Sequence, residues 1–146
     1  MTLEVALLAW LPVIADLESL SCRVPVQDLH RPAIERSYGC YGVRLVAYHD
    51  AVKFDPTLPR LSDQQAIKRL RDDRKFNRRV ATITLKRLMS NPRLRKHDQD
   101  DVCVVLSAYN MGSSGMQKWM RDNGRDLACE TKYMRALQQR AKERRK

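Results

Sequence analysis

Apolar residues return at helical spacing along nearly the whole chain, and this periodicity restricts it to a mostly α-helical fold. Leu3 to Leu20 is apolar on nearly every face, the pattern of a central buried helix, with Pro12 either bending it or starting a second helix. Cys22 to Ser37 holds two prolines and reads as an irregular loop, and Ser37 to Gly42 reads as a turn with two glycines. Val43 to Phe54 predicts a helix with Val43, Val46, Ala47 and Ala51 on one side, followed by a connector over Asp55 to Pro59. Ser62 and Gln65 fit a capping box at the start of a long helix, in which Ile67, Leu70, Val80, Ile83 and Leu88 keep their spacing until Asn91-Pro92 stops it. Asp100 opens a further helix with Val102, Val105, Leu106 and Tyr109 as its buried stripe and Gly112 as its end. A short helix near Met116 to Met120 and a last one from about Glu130, with Tyr133, Met134, Leu137 and Ala141 as its stripe, complete the chain. Without internal repeats or a long linker, residues 1–146 read as a single domain with a basic helical tail at about 138–146.

At 43% apolar residues the chain can bury a core, and its 5 glycines and 6 prolines argue against disorder. No stretch reaches the ~18 apolar residues of a membrane span. The first helix lacks the basic start and small-residue cleavage pattern of a signal peptide, so it is expected to be a core helix; action outside the cytoplasm would then need another means of delivery or a leader missing from this sequence. The formal charge of +11 implies an anionic partner, whether nucleic acid, an anionic lipid surface or an acidic wall polymer. Cys22, Cys40, Cys103 and Cys129 form no CxxC pair and His30, His49 and His97 are scattered, so neither a metal nor another cofactor is expected. The cysteines leave two readings open: one or two disulfides in an oxidising compartment, or free semi-buried thiols.

Of the five glutamates, Glu4 and Glu143 lie near the termini and Glu35 sits in a polar loop. Glu18 instead follows Val13, Ile14, Ala15 and Leu17 near the end of the most apolar helix. Burial and the negative end of the helix dipole both disfavour a carboxylate there. A carboxyl in such a pocket reaches a pKa of about 6 and serves as a general acid, which is what cleaving a glycosidic bond requires. From position alone, a glutamate that merely caps or pairs at a helix end is the competing explanation.

Four segments occur in a fixed order: Glu18-Ser19 at the end of the apolar helix, Gly39-Cys40-Tyr41-Gly42-Val43, Ala108-Tyr109-Asn110-Met111-Gly112, and Glu130-Thr131-Lys132-Tyr133. The series resembles the soluble lytic transglycosylase family of the lysozyme-like superfamily, whose members carry an ES dipeptide, a GAxGLMQ-like turn, AYNAG and an ETxxY-like segment. It spans about residues 10 to 138. The resemblance implies a mostly α, lysozyme-like helical domain with a substrate cleft, and Glu18 as the single catalytic acid/base. Ser19 would support the helix end beside it, and Ser37 would match the family serine that bonds the catalytic carboxylate. Gly39 and Gly42 would let the backbone approach the sugars, with Tyr41 among the substrate-binding residues. Tyr109 and Asn110 would line the cleft, and Tyr133 would bring its hydroxyl near the acid. Arg44-Leu45 stands where the family has Met-Gln, Met111 replaces an alanine, and the last segment is one residue short.

The implied substrate is the glycan strand of peptidoglycan, cut between N-acetylmuramic acid and N-acetylglucosamine with formation of a 1,6-anhydro end. Two-carboxylate glycosidase chemistry finds no second acid: Asp16, two residues before Glu18, points to another helical face, and Asp28 and Asp50 have no compelling context. A hydrolase of the goose-type lysozyme kind, a catalytically dead wall-binding relative and a basic nucleic-acid-binding helical module are the alternatives. No recognition-helix or RNA-binding signature favours the last, so nucleic acid is not the expected partner. The expected site of action is the wall, in the periplasm or outside the cell. A phage virion or a secretion system would be a fitting context.

Overall fold

The computed structural model describes residues 2–96 and 101–146. The chain is mostly helical. Among the described residues there are eight α-helices: α1 (Leu3–Leu8), α2 (Leu11–Ser19), α3 (Leu45–Phe54), α4 (Asp63–Asp72), α5 (Arg74–Met89), α6 (Val102–Met111), α7 (Ser113–Asn123) and α8 (Lys132–Arg144). A two-stranded antiparallel hairpin, β1 (Ser37–Tyr38) and β2 (Val43–Arg44), pairs Ser37 with Arg44 and Tyr38 with Val43. Two 3₁₀ stretches cover Ala33–Glu35 and Arg125–Glu130. No described helix is long and apolar enough to cross a membrane. The residues divide into two compact units, Leu11–Thr84 and the segment up to Trp10 together with Leu85–Lys146.

In the unit of Leu11–Thr84, α2 buries Leu11, Ile14, Ala15 and Ser19. Of the two readings at Pro12, a bend or a second helix, the structure has the second helix, with the break at Ala9-Trp10. Pro12 explains it: a helix running through this point would drive the proline ring into the carbonyl one turn earlier. At the far end of α2, Leu20, Ser21 and Cys22 all have positive φ, at 50°, 57° and 73°. Three consecutive non-glycine residues in the left-handed region are costly, at about 1–2 kcal/mol each. Cross-links hold them there. Ser21 N–H donates to Ala15 O at 3.1 Å, Ser19 Oγ accepts Cys22 N–H at 2.9 Å, and a disulfide joins Cys22 to Cys40.

The expected helix over residues 43–54 begins two residues later, because Val43 and Arg44 pair into the hairpin. Its core stripe is Leu45, Tyr48 and Ala51, whereas Val46 is 63% exposed; the register is set by Leu45 rather than by Val43 and Val46. The capping box at Ser62 and Gln65 forms as expected, with paired bonds of 3.0 and 3.2 Å. The long helix it opens is interrupted, however. Asp73 ends α4 and starts α5 by accepting Phe76 N–H at 3.0 Å, the bond of an N-cap. Leu70, Val80, Ile83 and Leu88 are all buried along α4 and α5.

In the other unit, five consecutive residues of α6, Val104 to Ala108, are buried, so this helix is enclosed on all faces. Val102 and Tyr109, expected in its stripe, are half-buried. The expected helix start at Asp100 lies outside the described residues. Gly112 ends α6 with φ 80°, and Gly124 ends α7 with φ 94°. Asp101 is buried and accepts from the guanidinium of Arg125, which also donates to Leu94 O at 2.6 Å. Thr131 caps α8, whose buried residues are Tyr133, Met134 and Leu137.

Candidate functional site

The candidate acid sits one residue before the end of α2. Leu11, Ile14 and Glu18 share one stripe of this helix, so the carboxyl continues a buried apolar row and emerges at its end. Glu18 is half-buried rather than buried, because the innermost place at the helix end goes to Ser19, directly below Ala15. Among the other glutamates, Glu35, Glu130 and Glu143 are exposed, and Glu4 pairs with Lys86 at 3.4 Å.

Opposite Glu18 lies the glycine turn that joins β1 to β2. Gly39 and Gly42 have φ of 75° and 60°, a conformation that side chains disfavour. Their missing Cβ atoms are needed for two different reasons. A Cβ on Gly42 would stand 2.6 Å from Glu18 Oε2 and 2.9 Å from Glu18 Cδ. A Cβ on Gly39 would stand 2.1 Å from Asn77 Nδ2 and 2.2 Å from Leu70 O. Gly42 thus leaves room for the acid, and Gly39 leaves room for the scaffold that holds the turn.

Ser19 is the link between acid and turn. Its Oγ lies 2.7 Å from Cys40 O and 2.9 Å from Ala15 O, and it accepts Cys22 N–H at 2.9 Å. The Cys22–Cys40 disulfide ties the same two segments covalently. From the other side, Asn77 in α5, wholly buried, donates from Nδ2 to Tyr38 O at 2.8 Å and Leu70 O at 2.9 Å, and accepts Tyr41 N–H at 3.0 Å. Sequence reading missed Asn77. The available signal was a polar residue on an apolar stripe, Asn77–Val80–Ala81–Thr84, with a side chain that helices disfavour unless it finds a partner.

Ser37 departs from expectation. Its hydroxyl donates to Asp28 Oδ2 at 3.2 Å and not to Glu18, because the strand pairing of β1 turns this side chain toward the Asp28 loop. Asp16 accepts Ser21 Oγ–H at 3.0 Å, a bond that fastens the strained helix end. Leu45 is buried in the core.

The structure thus gathers Glu18, Ser19, Gly39, Tyr41 and Gly42 in one unit, with Ser37 in the adjoining strand. Tyr109, Asn110 and Tyr133 belong to the other. There, Tyr109 is half-buried and Asn110 exposed in the last turn of α6, while Tyr133 is buried in the first turn of α8. Their two helices are joined by the 2.8 Å bond between the Ser107 and Thr131 hydroxyls, and the Cys103–Cys129 disulfide ties α6 to the 3₁₀ stretch before α8. The cysteine question is therefore settled for disulfides, with no free cysteine among the described residues. No group of three or more metal-binding side chains occurs among the described residues.

Chemically, a carboxyl emerging from an apolar row and facing the bare backbone of a turn that Ser19 and Asn77 hold can give and take a proton at an atom brought against that turn. Comparison of the chain with protein-family models, with curated proteins and with solved structures finds no match.

Proposed function

We propose that this chain is a peptidoglycan lytic transglycosylase with a lysozyme-like fold and Glu18 as its acid/base. The observation that carries the reading is the apposition of Glu18 to Gly42. The only acidic side chain on the buried row of α2 faces a turn whose side chain is missing where the carboxyl needs room. The ordered ES, glycine-turn, AYN and ET segments of the sequence support the same reading. The charge of +11 suits a substrate that carries acidic branches. Two disulfides suit an oxidising compartment at the wall.

In this reading Glu18 protonates the oxygen that links N-acetylmuramic acid to N-acetylglucosamine, and the bond to the muramic C1 breaks. The cationic C1 that develops is stabilised by the substrate's own N-acetyl group. Glu18, now ionised, accepts the proton of the muramic C6 hydroxyl as its oxygen bonds to C1. A 1,6-anhydro ring forms, the acid is restored and no water is consumed. A nucleophile on the same sugar carries the effective-molarity advantage of an intramolecular attack. The resemblance assigns sugar contacts to Tyr41, Tyr109, Asn110 and Tyr133.

The test is digestion of purified sacculi followed by mass spectrometry of the released muropeptides. The active chain yields anhydro ends, and Glu18→Gln yields none while remaining folded. Reducing ends alone, one water heavier, would assign a goose-type hydrolase. Release of muropeptides by Glu18→Gln at the unmodified rate would remove Glu18 from the mechanism.

A further inference from the structure

A cavity of about 270 Å³ lies at the Gly39 end of the same turn whose Gly42 end faces Glu18. Cys22, Pro25, Gly39 and Cys40 line it together with Leu70, Arg71, Asp72 and Arg74 from the end of α4 and the start of α5. Its volume falls just below the roughly 300 Å³ at which pockets begin to enclose whole small ligands, so it suits the end of a branch rather than a sugar ring.

Its charge is specific. Arg71 is neutralised by Asp72 through two bonds, Nε to Oδ1 at 2.8 Å and Nη2 to Oδ2 at 2.9 Å. Arg74 has no acidic partner within 4.0 Å among the described residues, and neither do the neighbouring Lys75 and Arg78. These cations occupy the first turns of α5, where the helix dipole makes positive charge unfavourable, and the one carboxylate at that helix start, the N-cap Asp73, is already engaged by Phe76 N–H and the Arg69 guanidinium. The helix start does not favour a guanidinium that has no acidic partner among the described residues; recognition of an anion does, since the planar fork of arginine matches carboxylate and phosphate oxygens.

We propose that this cavity binds a small anionic group, a carboxylate or a phosphate, carried on a branch of the glycan substrate, with Arg74 as its principal contact and the Arg71–Asp72 pair as its polar rim. Because Gly39 and Gly42 belong to one four-residue turn, a branch seated against Gly39 fixes the strand relative to the acid at Gly42. The inference rests on the proposed glycan substrate and extends it to what the strand carries.

Binding is measured by co-sedimentation of the Glu18→Gln chain with sacculi, so that cleavage plays no part. Three preparations are compared: intact sacculi, sacculi stripped of peptide by an amidase, and sacculi stripped of phosphate-linked polymers by cold acid. Binding is expected to fall about tenfold with one of the stripped preparations, the loss of a charge-assisted contact, and that preparation identifies the source of the anion. Arg74→Gln is expected to bind intact sacculi as weakly as Glu18→Gln binds the stripped ones. Arg78→Gln removes the same charge from the same helix but does not line the cavity, and it should bind within about twofold of its parent. Equal losses for Arg74→Gln and Arg78→Gln would reduce the effect to general charge and overturn the site, as would equal binding to all three preparations. Anhydro ends from the active chain combined with an unaffected Arg74→Gln would sink this inference alone. Absence of cleavage by the active chain would sink the enzymatic reading instead.

Discussion

Asn77 holds Tyr41 by its backbone: the Asn77 side-chain oxygen accepts Tyr41 N–H at 3.0 Å while its nitrogen binds Tyr38 O and Leu70 O. One amide thus fastens both ends of the glycine turn to α4 and α5. Asn77→Ala leaves a backbone N–H and two carbonyls without this partner in a buried place. We expect a loss of about 2–3 kcal/mol in urea unfolding, from the desolvation of groups left unsatisfied. Asn77→Asp should be at least as damaging, because it sets a carboxylate oxygen against the carbonyls of Tyr38 and Leu70. A loss below about 0.5 kcal/mol for both variants would show that the turn holds itself.

The elements of this fold were legible in the sequence where local chemistry decides them. The Ser62–Gln65 capping box, the Pro12 break and the glycine ends at Gly112 and Gly124 all depend on residues within one turn of each other. The break at Asp73 was legible in principle, since an aspartate followed three residues later by an apolar core residue is an N-cap pattern, but the basic residues on both sides preserve helical spacing through it. Val43 and Arg44 were misread as helix because a two-residue strand has too few residues to show alternation. The site was legible in part. The position of Glu18 at the end of an apolar helix and the turn at Gly39 and Gly42 follow from sequence, but the half-exposure of Glu18, the atoms that the two glycines make room for, the partner of Ser37 and the role of Asn77 depend on contacts 9 to 39 residues away along the chain.

The two glycines should fail differently. At Gly39 an added Cβ meets a buried amide and a backbone oxygen, neither of which can move away, so Gly39→Ala should unfold the hairpin or lower stability by about 3 kcal/mol or more. At Gly42 its closest contacts are with the movable carboxyl of Glu18, at 2.6 and 2.9 Å, with the Glu18 Cβ behind it at 3.0 Å. Gly42→Ala should therefore cost about 1–2 kcal/mol of left-handed strain, yet displace the carboxyl and abolish muropeptide release. Thermal unfolding and sacculus digestion of both variants separate the effects; an active Gly42→Ala would disconnect that position from catalysis.

Asp73 predicts an acid-dependent stability. The Phe76 N–H bond and then the Arg69 guanidinium hold its carboxyl below the usual carboxylate range. A folded pKa lowered in this way stabilises the chain above the unfolded value of about 3.9, and the stabilisation is lost as pH falls through the folded value. Asp73→Ala should lose about 1 kcal/mol at neutral pH, as expected for a removed N-cap. It should also unfold with a smaller dependence on pH below about 4 than the parent, because the proton linkage is gone. Parallel urea titrations from neutral to acid pH measure both effects, and identical slopes would show that Asp73 is not the linked group.

The two disulfides should be separable in the same way. Cys22–Cys40 spans 18 residues and Cys103–Cys129 spans 26, so loop closure predicts about 3 kcal/mol for each. Their functional consequences should differ. Cys22–Cys40 fixes the strained end of α2 against the glycine turn, and replacing both cysteines by serine leaves Ser19 as the principal link between them. That variant should lose lytic activity beyond what its lowered stability explains, when assayed well below its unfolding temperature. Combining it with Ser19→Ala should be more than additive, because both changes release the same pair of segments. Additive stabilities in a double-mutant cycle would mean that the acid and the turn are held by other contacts.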